Sequence, residues 1–161
     1  MFGKICIIIM SCILITIIHE TGHFLMSRKV GLHPILFRVG IGPVLFKKGI
    51  LEITAFPFSG MVNHSEAEWD TICQQKQKMI ALAGPAVNLI VGIATVYWMP
   101  FFGLLNLVVG FGNLIPVKTK RGQSDGRYIF SEVQPILRGT ICCVFAVMVF
   151  LLYISCLVVI I

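Results

Sequence analysis

His19, Glu20 and His23 stand in the order His-Glu-Thr-Gly-His, an H-E-x-x-H pattern. On a helix, residues i and i+4 share one face a turn apart, so both imidazoles can reach one zinc ion. Glu20 projects beside them and can take a proton from the water that such an ion activates. Two imidazoles leave zinc short of donors, because a catalytic site generally has three protein ligands and one open position. The third must come from elsewhere in the chain. Its position depends on the elements that carry these residues.

Those elements are membrane helices. Of the 161 residues, 57% are hydrophobic and only 12% are charged, and mean hydropathy is +0.93. A soluble fold with so few charges would expose large apolar patches. The composition therefore excludes a soluble globular protein, a disordered chain and a nucleic-acid binder working by surface charge. The apolar runs cover about residues 5–26, 79–99, 101–117 and 141–161. They are too long, and alternate too little, for membrane strands. The expectation is a single 161-residue α-helical membrane domain of about four spans. The third span carries Gly103, Gly110, Gly112 and Pro116 and is expected to be interrupted. The six cysteines form no C-x-x-C pair and read as small packing residues.

Between the first two spans, residues 27–78 are punctuated by glycine and proline. Apolar runs flank Lys47-Lys48-Gly49, which predicts a β-hairpin in a small membrane-associated β-region. Ser65 with Glu68 matches a capping box, which predicts an amphipathic helix over 65–78. Within the second span, Gly84-Pro85 predicts a kink or close helix contact, and Asn88 reads as interhelical glue. Trp69, Tyr97 and Trp98 read as interface anchors.

Charge sets the topology. The loops after the first and third spans hold twelve of the thirteen Lys and Arg residues, and the other side holds only Lys4. The positive-inside rule puts both large loops in the cytoplasm and both termini outside. His19 then lies roughly 21 Å along a core of about 30 Å, some 9 Å inside the cytoplasmic border. Imidazoles and a carboxylate at that depth demand partners, and a metal supplies one. Asp125 follows the third span on the same side and is a candidate third ligand. His33 and His64 are its rivals, with Glu52, Glu66, Glu68, Asp70 and Glu132 as further donors.

Four segments together resemble the site-2 protease family of intramembrane zinc metalloproteases. Ile18-His-Glu-Thr-Gly-His-Phe is similar to its zinc motif. Arg38-Val-Gly-Ile-Gly-Pro through Phe56-Pro-Phe-Ser-Gly-Met-Val is similar to its β-region. Ala83-Gly-Pro-Ala-Val-Asn-Leu is similar to its G-P-x-x-N segment. Asn113-Leu-Ile-Pro with Ser124-Asp-Gly is similar to its N-x-x-P…D-G segment. The resemblance implies that His19, His23 and Asp125 bind zinc, that Glu20 activates water and that Asn113 sits near the substrate peptide. The implied activity is cleavage of a transmembrane or membrane-adjacent peptide near the cytoplasmic face, with the bilayer as the other partner and no nucleic acid. One departure is the twelve-residue step from Asn113 to Asp125, longer than the family's compact spacing. Its basic insert, residues 117–124, is expected to loop into the cytoplasm. The alternative class is a non-catalytic membrane protein: a scaffold that holds a partner, or a metal-handling transporter. A transporter would present ionisable residues in several spans, whereas the second and fourth apolar runs contain none.

Overall fold

A computed structural model of the protein describes residues 2–119 and 122–160. Lys120 and Arg121 of the basic insert, counted in the charge argument, lie outside the described residues. The chain divides into two compact units, residues 1–80 and 81–161.

The first unit is built on α1 (Phe2–Lys29), a 28-residue helix. It contains no proline to stop it, and Arg28 and Lys29 close its last turn, where cations favour the helix dipole. Two 13-residue strands follow, β1 (Leu36–Lys48) and β2 (Leu51–Asn63), paired antiparallel with register shifts. The turn between them uses Gly49 at φ 58°, a conformation that costs glycine little. The start of β1 is matched twice. Leu36–Val39 meets Gly60–Asn63, and Phe37–Val39 also meets Leu51–Ile53. Gly40 and Gly42, both at φ 95°, bend β1 so that its later residues peel away into the hairpin with Leu51–Thr54. The hairpin that the Lys47-Lys48-Gly49 pattern predicts is present, on longer strands than its apolar triplets suggest.

The expected helix over 65–78 is instead two pieces, α2 (Glu66–Thr71) and the start of α3 (Gln74–Thr95). Ser65 accepts from the Glu68 amide at 3.2 Å, as the capping pattern requires. Glu68 does not complete the box; its carboxylate accepts from the His33 amide at 3.0 Å. Ile72 leaves helical geometry with ψ 143°, which ends α2.

In the second unit, α3 packs against α4 (Pro100–Leu114) along a seam of small residues. A Cβ on Gly110 would press on Leu89 and the Pro85 carbonyl, one on Gly92 on Leu107, and one on Gly103 on the Val96 backbone. Close approach of this kind is how helices associate where lipid removes the hydrophobic incentive. The expected break in the third span is absent. α4 runs unbroken through Gly103, Gly110 and Gly112, the first two of which face the seam, and it ends before Pro116. Asn88 is fully buried on α3, yet neither side-chain atom finds a partner among the described residues. The interhelical hydrogen bond expected of it is therefore not made there. A two-residue ladder, β3 (Lys118–Thr119) with β4 (Gly122–Gln123), leads to α5 (Asp125–Ile129) and α6 (Pro135–Ile160). Phe145 of α6 meets Phe111 and Phe130 at 6.1 and 6.3 Å between ring centroids.

By length and composition, three helical stretches among the described residues can cross a membrane: Cys6–Lys29, Gln74–Thr95 and Leu137–Ser155. The expected third span corresponds to α4, whose 15 residues extend roughly 22 Å, short of a hydrocarbon core of about 30 Å. Tyr97 and Trp98 are exposed, as interface anchors would be. Trp69 is not; its ring stacks on His64.

Candidate metal centre

The fourth-residue spacing on α1 does what helix geometry requires. His19 and His23 bring their Nε2 atoms to 3.1 Å. Two nitrogens each 2.0–2.1 Å from one tetrahedral zinc ion stand about 3.3 Å apart, so the pair has the separation that a shared ion needs. The His23 Nδ1 donates to the Ile80 carbonyl at 2.8 Å. That bond fixes the tautomer and leaves the Nε2 lone pair facing His19, the usual outer-shell arrangement of a ligating histidine. His19, Glu20 and His23 are 6%, 5% and 9% exposed. The donor set therefore fits zinc in spacing, tautomer and shielding from water.

β2 runs beside this helix, and its numbers rise with those of α1. The Thr16 hydroxyl, which also donates to the Cys12 carbonyl at 2.9 Å, lies 3.2 Å from the Pro57 carbonyl. A Cβ on Gly60 would lie 2.6 Å from the Glu20 carboxyl carbon and closer still to Cγ. His64 Nε2 meets Ser27 Oγ at 2.8 Å. The strand thus passes directly over the candidate general base, and glycine is what allows it.

Four rival donors in the first unit, Glu52, Glu68, His33 and His64, are engaged elsewhere. Glu52 is bound by Lys47 at 2.8 Å and by Arg38 at 2.7 Å. Hydrogen bonds from Lys47 and then Arg38 hold its carboxyl below the usual carboxylate range. It is shielded by those cations rather than by apolar protein. His33 Nδ1 stands 3.5 Å from Glu68. His64 is joined to Ser27 and stacked on Trp69, and burial pushes its imidazole below the usual range. Glu66 and Asp70 are exposed on α2, and Glu132 is exposed in the second unit.

Asp125 and Asn113 belong to the second unit. Asp125 opens α5 and is half-buried. The preceding Ser124 donates to the Ile115 carbonyl at 2.6 Å and accepts from the Val117 amide at 2.9 Å. The insert is thereby pinched off at its base, and Asp125 follows the end of α4 despite the long sequence step. Gly126 permits this contact, since a Cβ there would collide with the Leu114 carbonyl. Asn113 donates to the Val109 carbonyl at 3.0 Å. Sequence reasoning did not single out Gly60 or Ser27. The first had no signal beyond a Gly within a strand, and the second none beyond a Ser near the end of an apolar helix.

A family model described as Peptidase family M50 matches residues 6–99. A zinc metalloprotease of Methanocaldococcus jannaschii is 28% identical over 137 residues, covering 77% of this chain and 34% of the relative. The chain thus spans about a third of that relative's length.

Proposed function

Starting from the fact that the chain belongs to peptidase family M50, we propose that it is a membrane zinc endopeptidase that cuts transmembrane or membrane-adjacent peptides. The observation that carries this reading is the 3.1 Å convergence of the His19 and His23 Nε2 atoms beside a buried Glu20. His19 and His23 would hold the ion with Asp125 as the third ligand. The engagement of Glu52, Glu68, His33 and His64 in other contacts supports that choice. Bound zinc supplies Lewis acidity, polarising the scissile carbonyl and acidifying water.

The protein does the rest. Glu20 takes the proton as water attacks the carbonyl carbon, and returns it to the leaving amine as the C–N bond breaks. The low exposure of the three side chains limits competing water and strengthens each charge interaction. A helical substrate hides its backbone, so it must unwind before cleavage. The Gly60–Asn63 stretch of β2 has strand partners on one side only, among the described residues. A peptide could pair along it in extended form, beside Glu20. Asn113 would contact the peptide from the second unit. The cytoplasm would receive both large loops, with the termini outside.

The test is purification in detergent, metal analysis and cleavage of an unfolded casein chain. Wild type should hold about one zinc and cut. Glu20→Gln should keep zinc and stop cutting, while His19→Ala and His23→Ala should lose zinc. Cleavage that survives Glu20→Gln would refute the assignment of the base.

A further inference from the structure

Ser27 is completely buried, one helical turn after His23. Its hydroxyl donates to the His23 carbonyl at 2.8 Å, which uses its only proton. The 2.8 Å contact with His64 Nε2 must then be a bond that the imidazole donates. His64 directly follows the last residue of the strand that passes Glu20 at Gly60. Its ring is held from the other side by the Trp69 stack, 5.3 Å between centroids. From Glu20 to Ser27 is roughly 10 Å along the helix. From Gly60 to His64 is about 13 Å along the strand. The two spans differ by about 3 Å, and they are pinned at both ends. At one end Gly60 lies against Glu20; at the other His64 holds Ser27. A strand slip of one residue would move the backbone by about 3.3 Å and turn its side chains over. It would also break the His64 bond and drive the side chain of Ser59 or Met61 into Glu20.

We propose that His64 is a positioning residue. Through Ser27 it fixes the register of β2 against the helix that carries His19, Glu20 and His23, and so sets which bond of an extended peptide is cut. This deepens the endopeptidase reading above and rests on it. A peptide paired on β2 inherits the strand's register, so an error there becomes an error in cut position. Gly60 makes the contact possible, and His64 makes it unique.

The experiment compares wild type, His64→Leu and His64→Gln in detergent. Zinc content, amide hydrogen exchange of residues 58–63 and mass-spectrometric mapping of cut sites in unfolded casein are measured. Gln can place its amide nitrogen near the His64 Nε2 position, whereas Leu cannot donate. His64→Leu should keep about one zinc, exchange the 58–63 amides at least tenfold faster and scatter each cut by one or two residues. His64→Gln should restore both exchange and pattern. An unchanged cut pattern and exchange rate in His64→Leu would overturn the proposal. So would equal damage from Leu and Gln. If wild type binds zinc and shows the exchange contrast but cuts nothing, the endopeptidase reading falls while the latch on β2 stands.

Discussion

Replacing Gly60 with Ala should nearly silence the proposed cleavage while leaving zinc binding in place. The new methyl carbon would lie 2.6 Å from the Glu20 carboxyl carbon. Ordinary carbon contact begins near 3.5 Å, so either the strand or the carboxylate must retreat by about 1 Å. A misplacement of that size near reacting groups costs about a hundredfold in rate, or roughly 2.7 kcal/mol in transition-state stabilisation. Overpacking would also lower stability, by about 1–3 kcal/mol. His19 and His23 are not touched, so zinc content should stay near one per chain. The assay is kcat/KM on unfolded casein with metal analysis of the same preparation. Gly139→Ala is the control, because a Cβ there meets nothing within 4 Å, and in helix α6 Ala is favoured over Gly. Full activity in Gly60→Ala would refute the contact between β2 and the base. Loss of zinc would show that the damage runs through the ligands instead.

Three further outcomes follow from the same geometry. Glu52 has a folded pKa below its ordinary 4.5, so the folded chain binds fewer protons than the unfolded chain. Its contribution is complete above about 4.5 and is lost as pH falls through the lowered value. Thermal midpoints should therefore fall more steeply below pH 4.5 in wild type than in Glu52→Gln. Asp125→Ala should abolish cleavage and weaken zinc binding by more than about a hundredfold, beyond what loss of an outer-shell partner costs. Retained zinc there would remove Asp125 from the ligand set. A reporter fused after Ile161 should report the outside and one placed between Lys118 and Gln123 the cytoplasm. The opposite result would reverse the orientation.

The convergence of His19 and His23 was legible because its geometry is local. Helix periodicity alone puts His19 and His23 together, and nothing distant needs to be known. The hairpin turn at Gly49 and the Ser65 cap were legible for the same reason. The double matching of Leu36–Val39 was not, because register between strands is set by partners far apart in sequence. Nor was the path of β2 over Glu20. Glycine in α4 misled in the other direction. Gly103 and Gly110 read as breaks, yet each fills a site where Val96 or α3 leaves no room for a Cβ. Asn88 shows a similar limit, since composition signals a polar contact that its surroundings do not make.

The pinched insert has a consequence for protein engineering. Ser124 ties its base to Ile115 and Val117, and Lys118 and Thr119 pair with Gln123 and Gly122. Chain spliced into the tip pays only for closing a longer loop. That cost grows with the logarithm of length, by about 0.6 kcal/mol per doubling. The neck, and with it the start of α5, is indifferent to what hangs beyond it. An affinity tag, a fluorescent domain or a crystallisation chaperone inserted between Thr119 and Gly122 should leave the neck paired, and Asp125 should keep its place at the end of α4.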